Sequence, residues 1–351
     1  MKRMSFALHI VAGLLLQTAA LAAPGQLLTG SLDNVVSSYV SDHHFRGSVL
    51  VVKKGEILLR KGYGVASEAW QVSDSADTRY EIASLTKQFT GAAILQLAAS
   101  GKLKLDDPVS RYYAAAPASW KDVTVRELAN HTSGLPNNEI KDFTKGITVP
   151  YSWDELLATF RDRPLAFRPG TGWAYTNTEY YLLAYIIEKL SGESYGAYLQ
   201  HHIFGPAGMN NSGYAGTLEV VPHEAEGYTS EDGHVRRRDY FDRSLESGAG
   251  GIYTAVDDMR LWNEALSAGK LLDEASMQAM FAPSKPGSYG FGWFIDLEAP
   301  RRAYHEGSDP GFAAFEIRFL DERSLIVVLS NQDDAPVREI AIKLQQLIAR
   351  P

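Results

Sequence analysis

The chain has no cysteine among its 351 residues. That absence excludes disulfides, thiolate nucleophiles, iron–sulfur clusters and Cys-bearing zinc sites, and it leaves no N-terminal cysteine to carry a lipid anchor. Long basic runs are missing too. With 34 Lys and Arg against 42 Asp and Glu, the net charge is −8, which argues against nucleic acid as a partner. There is no P-loop, no complete G-x-G-x-x-G, no H-E-x-x-H, no internal repeat and no low-complexity segment. Past the first residues, no apolar run is long enough to span a bilayer. What remains is an ordinary globular balance, 45% hydrophobic and 22% charged, with length for one large domain or two lobes.

The N-terminus reads as a leader. Lys2 and Arg3 precede a mostly apolar stretch from Phe6 to Leu16, and Ala20-Leu21-Ala22 offers an A-x-A cleavage site. Residues 1–22 are therefore expected to be a secretory signal peptide, too short for a membrane anchor. The mature protein is expected in the periplasm or secreted, with no stable membrane anchor.

Strand patterns occur at both ends of the remaining chain. Gly47–Val52 and Glu56–Tyr63 are β-rich runs joined at Lys53-Lys54-Gly55, a hairpin signature. Tyr289–Ile295, Arg302–Glu306, Phe312–Leu320 and Ser324–Ser330 read as consecutive strands. Helical patterns cover Gln26–Phe45, Ser84–Ser100, Val123–Asn130, Trp153–Phe160, Thr178–Leu190, Tyr195–Phe204, Thr254–Ala268 and Val337–Ala349. The expected fold is α+β: a mainly antiparallel sheet built from N- and C-terminal strands, flanked by helices, with an inserted helical lobe. The α/β lobe would take about residues 23–82 and 245–351, and the helical lobe about 83–244. A cleft between such lobes is a natural substrate site.

The first serine motif to consider is Gly192-Glu193-Ser194-Tyr195-Gly196, a G-x-S-x-G. A nucleophile elbow needs a strand before it, and here a helical pattern precedes it. Gly192 reads better as a helix stop and Ser194 as the next helix's N-cap. Ser84-Leu85-Thr86-Lys87 is stronger, because a Ser and a Lys three apart on a helix share a face. At a helix N-terminus, Ser84 would have first-turn amides available for an oxyanion, and a buried Lys87 could act as a base. A second S-x-x-K, Ser267 to Lys270, falls at a helix end and reads as structural.

Tyr175-Thr176-Asn177 is the only Y-x-N among 18 tyrosines. In an extended segment Tyr175 and Asn177 point to the same side and could share a cleft, although Asn177 also stands where a helix N-cap would. His305-Glu306-Gly307 lies on a strand, where a glycine signals close approach of another group. The amide of Ser308, just beyond, could then donate to an oxyanion.

Together S-x-x-K, Y-x-N and H-x-G, in that order, resemble the signature of the penicillin-recognising serine hydrolases. The branch holding class C β-lactamases, DD-peptidases, D-aminopeptidases and related esterases is the most similar. LKLDDPVSRY (103–112), VTVRELANHTSGLP (123–136), FRPGTGWAYTNTEYYL (167–182), GPAGM (205–209), GAGGIYTAVDDMRLW (248–262) and HEGSDPGF (305–312) read like family segments. The resemblance implies a β-lactamase/transpeptidase-like fold and no metal or organic cofactor. It implies that Ser84 attacks a carbonyl and is acylated, with Lys87 and Tyr175 sharing the proton transfers. The amides of Ser84 and Ser308 would hold the oxyanion, Asn177 would orient Lys87 and substrate, and His305 would replace a lysine in the third motif.

That replacement shifts the expected substrate. The family's K-T-G form supplies a fixed cation suited to a carboxylate, whereas histidine is largely neutral near pH 7, and Glu306 would add negative charge if it faced the cleft. The expected activity is hydrolysis of a peptide, amide or ester, with β-lactam hydrolysis as the alternative. A non-catalytic penicillin- or peptide-binding protein on the same fold is the alternative from another class.

Overall fold

The structure is a computed structural model that describes residues 24–43, 45–138, 150–214, 216, 219–231, 234–240 and 242–349. The expected leader and its cleavage site lie outside the described residues.

Alternating apolar residues on both terminal segments build one six-stranded sheet. Its strands are β1 (Gly47–Lys53), β2 (Glu56–Tyr63), β3 (Phe294–Asp296), β4 (Arg302–Asp309), β5 (Phe312–Phe319) and β6 (Leu325–Ser330). The spatial order is β3-β4-β5-β6-β1-β2, and every neighbouring pair is antiparallel. β1 and β2 meet through Lys54 and Gly55, both at positive φ, the geometry that a two-residue hairpin with right-handed strand twist requires. β6 pairs with β1 from Gly47↔Ser330 to Val52↔Leu325, so the two ends of the chain join at the sheet's middle.

Both faces of the sheet are covered, which is why β5 is buried along its whole length. On one face lie α1 (Pro24–His43) and, from the C-terminus, a helix at Val337–Ile348; Leu32, Val36, Ile340 and Leu344 meet Val49, Val51, Phe315 and Ile326 there. On the other face, Leu50, Ala314, Val327 and Leu329 join a larger core with α2 (Thr86–Ala99), α3 (Asn177–Ser191) and α4 (Val256–Ser267). α2 is nearly all Ala, Leu, Ile, Phe and small polar residues and is buried on all sides, as a central helix should be. Among the described residues no helix is long and apolar enough to cross a membrane.

Several expectations need local correction. The strand expected over Tyr289–Ile295 shrinks to Phe294–Asp296, because Gly290 and Gly292 turn the chain against the Met280 carbonyl and the backbone of Gln88. The helix expected over Tyr195–Phe204 is α-helical only to Leu199 and widens into a π-turn at Gln200–Phe204. There the adjacent His201 and His202 both reach the carboxylate of Glu193, at 2.6 and 2.8 Å. Arg236 and Arg237 lie on an exposed strand, His234–Arg237, paired with Tyr228–Glu231.

Candidate active site

Ser84 sits in a 3₁₀ turn, Ala83–Leu85, and α2 begins only at Thr86, two residues later than the apolar pattern implies. The turn is pinned on two sides. Tyr80 and Glu81 pair with Thr254 and Tyr253, and the Ile82 amide donates to the Ile252 carbonyl at 3.0 Å. Across from them β4 presses against the turn: a Cβ at Gly307 would collide with the Ile82 carbonyl oxygen and stand 3.2 Å from the Ala83 methyl. Only glycine permits that approach. Ala83, held between, adopts a φ of 47°, a left-handed conformation costly for alanine.

Lys87, fully buried on the first turn of α2, is the centre of the site. Its Nζ donates to Ser84 Oγ at 3.0 Å, to Asn177 Oδ1 at 2.8 Å and to the Ala249 carbonyl at 3.0 Å. As an ammonium it uses all three protons. As an amine it retains two, and the Asn177 and Ala249 oxygens can only accept. The lone pair is thereby directed at the one partner with a proton to give, the Ser84 hydroxyl. Burial drives the Lys87 pKa down to about 7, against the opposing pull of Glu246, Asp309 and Glu179.

Asn177 is the first residue of α3, and Thr176 occupies the N-cap position, so the asparagine side chain is free to hold Lys87 rather than cap its own helix. Tyr175 lies over Lys87, whose Nζ is 4.8 Å from the ring centre. Its hydroxyl is buried without a hydrogen-bond partner of acceptable geometry. Burial raises its pKa, with the nearby Ser84 hydroxyl opposing and Asp309, Glu246 and Glu179 reinforcing, so it stays a phenol at neutral pH. The expected sharing of roles narrows on that basis: a neutral Lys87 is the group able to take a proton, and Tyr175 the one able to give it.

His305 does not supply a cation. Its Nδ1 lies 2.7 Å from the Glu306 carbonyl, which can only accept, so Nδ1 carries the proton and Nε2 accepts from the Tyr289 hydroxyl at 2.7 Å. Burial first, and the Lys87 charge second, push its pKa down to about 3. Glu306 projects from the opposite sheet face, where its carboxylate is 3.6 Å from Arg338, so it adds no charge to the cleft. Gly307 stands at the nucleophile turn, and Ser308 follows it on β4 with an exposed side chain on the Glu306 side.

Other parts of the site were not apparent from sequence. His131, at φ 64°, is bonded through Nδ1 to Glu179, which also accepts from Ser133. Its ring lies 4.5 Å from those of Tyr175 and Tyr289, and its carbonyl accepts from the Ala174 amide at 3.0 Å, fixing the chain just before Tyr175. The Glu246 and Asp309 carboxylates meet beside Gly250, where a Cβ would strike Glu246 Oε2 and sit 3.2 Å from Asp309 Oδ2. His131 and Glu179 lie inside segments that resemble the family, a signal for importance without a role. Asp309 lies in such a segment too, Glu246 in none, and only folding brings the two together.

Ser194 is far from this constellation in role. Its Oγ accepts from the Ala197 amide at 3.3 Å as an N-cap, and Gly192, at φ 79°, ends the preceding helix. Trp120 is core and Trp153 donates to Glu188, while Trp173 alone of the three candidate cleft tryptophans packs by the site, 6.4 Å from Tyr289.

Comparison with known proteins identifies the family. The Beta-lactamase family pattern matches residues 32–350. The chain belongs to the β-lactamase family. Family member PbpX of Bacillus subtilis (strain 168), which bears a penicillin-binding-protein name, is 33% identical over 324 residues, covering 92% of this chain and 80% of that one. The crystal structure of a penicillin-binding protein from Bacillus halodurans superposes with a TM-score of 0.78 at 28% identity, covering 90% of this chain and 98% of that one. A D-amino acid amidase from Ochrobactrum anthropi SV3, solved with L-phenylalanine amide, gives a TM-score of 0.81 at 25% identity, covering 92% and 98%. The family and these neighbours make the chain a serine hydrolase in general class.

Proposed function

We propose that the protein is an exported serine hydrolase that cleaves a peptide, amide or ester through an acyl-enzyme on Ser84. One observation carries the reading: among the described residues, buried Lys87 hydrogen-bonds two pure acceptors and the Ser84 hydroxyl, so its lone pair, once free, addresses Ser84. Ser84 Oγ attacks the carbonyl carbon as its proton passes to Lys87 Nζ, and the carbonyl oxygen takes negative charge beside the Ser84 and Ser308 amides. As the tetrahedral centre collapses, Tyr175 gives its proton to the departing nitrogen or oxygen and is reprotonated from Lys87. Water then enters by the reverse proton path, releasing the acid and Ser84. Asn177 keeps Lys87 in place and presents its amide to the substrate; Gly307 allows β4 to approach.

The uncharged His305 favours substrates that do not rely on a fixed cation for a carboxylate. The D-amino acid amidase likeness supports the same preference for amides. Treating the protein separately with a fluorophosphonate and a penicillin, and mapping the adduct by mass, tests both points. The expected outcome is a fluorophosphonate adduct on Ser84 that disappears in Ser84→Ala, with turnover falling by roughly three orders of magnitude or more. Folded protein without a Ser84 adduct from either reagent would sink the assignment. Rapid penicillin turnover would make β-lactams the preferred substrate instead.

A further inference from the structure

The mechanism leaves two acids unused. Glu246 is only 5% exposed and ends the 3₁₀ turn Arg243–Glu246; Asp309 ends β4 and is partly buried, with its Oδ2 atom enclosed. They come from segments 63 residues apart in sequence, yet both carboxylates close on Gly250, the residue next to the Ala249 carbonyl that anchors Lys87. Among the described residues Asp309 Oδ2 has no hydrogen-bond partner. Arg238 and Arg243 both bind the buried Glu81, and Arg243 also binds Glu224; Arg238 donates to the neighbouring Pro310 carbonyl as well and attracts Asp309 without bonding its Oδ2. A carboxyl pair in such a setting cannot ionise twice at ordinary pH. Its single charge faces the one buried amine of the site.

We propose that Glu246 and Asp309 are positioning residues that hold one negative charge between them and so set the pH at which Lys87 becomes a free amine. This inference deepens the proposed function, since it rests on Lys87 as the base for Ser84. The other groups facing Lys87 do not duplicate the role. From α3, Glu179 gives the smallest of the three carboxylate pulls on Lys87 and is tied to His131 and Ser133, with its pKa raised by burial, and Tyr180 presents only its ring. Tyr175 remains a phenol, and burial keeps His131 and His305 uncharged. Glu81 acts at one remove, through its repulsion of Glu246 and Asp309, and is itself compensated by Arg238 and Arg243. Both members of the pair are shifted up by burial, and both attract the Lys87 ammonium, in agreement with the geometry.

The sign of the effect is unusual for an active-site carboxylate. Either acid alone can carry the single charge, so removing it takes both substitutions. Glu246→Gln/Asp309→Asn takes away a stabiliser of the ammonium, so Lys87 should release its proton at lower pH, and the enzyme should gain activity on the acid side. The experiment is an NMR titration of 13C-lysine-labelled protein, with the Lys87 resonance identified by its loss in Lys87→Arg, alongside the pH dependence of Ser84 acylation by a fluorophosphonate. Glu246→Gln/Asp309→Asn is expected to lower the Lys87 midpoint by about one pH unit and to speed acylation about tenfold well below the wild-type midpoint, while Glu246→Gln alone, which leaves Asp309 to hold the charge, should move it less. Glu306→Gln, an equal charge change on the opposite sheet face, should move neither. A Lys87 midpoint unmoved or raised in the folded double variant overturns the inference; should that variant fail to fold, carboxyl 13C NMR of the wild type decides, and finding neither acid ionised at pH 7 overturns it. Failure of the hydrolase reading looks different: the NMR midpoint shifts while Ser84 takes no adduct.

Discussion

Ser84 and Lys87 illustrate how much a residue's function depends on the conformation of its neighbour. They stand three positions apart on the sequence, and that spacing alone brings them within reach. The direction of the Ser84 side chain, however, follows from Ala83, whose positive φ turns the chain into the 3₁₀ segment before α2. A left-handed alanine costs on the order of 1 kcal/mol, a cost borne at a site where geometry matters. Ala83→Gly relieves it but loses a buried methyl and adds unfolded-state freedom. Stability measured by urea unfolding should therefore stay within about 1 kcal/mol of wild type, while the loosened turn slows Ser84 acylation several-fold. Acylation as fast as wild type would show that the turn's strain has no bearing on the nucleophile. Asn177 teaches a similar lesson. Its place at a helix start left capping and cleft roles open, and the structure decides for the cleft because Thr176 takes the cap position.

At the scale of elements, patterns with strong local causes were legible. The β1–β2 hairpin follows from Lys54-Gly55, the G-x-S-x-G segment from its helix stop and N-cap, and the strands β4 to β6 from their alternation. Ser194→Ala should cost about 1 kcal/mol in thermal unfolding, the usual value of a lost N-cap, with Ser84 acylation unchanged. A large loss of activity would return Ser194 to the list of nucleophiles. Elements whose form depends on distant packing were not legible. Tyr289–Ile295 has the composition of a strand, but Gly290 and Gly292 fit against Met280 and Gln88, and no local rule anticipates those contacts. The same holds for the three short strands at 80–81, 213–214 and 252–254, each too brief for a periodic signal and formed because they bind one another beside Ser84.

For the whole molecule, burial of ionisable groups makes stability itself pH-dependent. Burial raises Asp74 and Glu316 to about 7, and Asp309, whose pair with Glu246 carries a single charge, is raised as well. Between about pH 4.5 and 7 the native state keeps protons on these three acids that the unfolded chain has released, so their contribution falls as pH rises. Lys87 acts in the next window. Its folded pKa of about 7 lies below the ordinary lysine value of 10.5, so from pH 7 upward the unfolded chain holds the extra proton and stability recovers. Urea unfolding from pH 4.5 to 10 should thus show a shallow minimum near neutrality from these groups. Asp74→Asn, which keeps an acceptor for the Tyr80 hydroxyl, should flatten the acid-side slope by up to about 1.4 kcal/mol per pH unit. An unchanged slope would mean that Asp74 is ionised in the folded protein.

By itself the amino-acid sequence determined the family, the α+β class, the sheet drawn from both ends of the chain, and the motifs that meet at the site, since those depend on local patterning and on short spacings. Tertiary structure alone decided the state of charge there. It made His305 a neutral group bonded to Tyr289, turned Glu306 away toward Arg338, kept Tyr175 a phenol, and set Glu246 and Asp309 beside the anchor of Lys87. The physical reason is that a proton's affinity is fixed by desolvation and by charges within a few ångströms. In this fold those charges come from residues 87, 246 and 309, which only the packed core brings together.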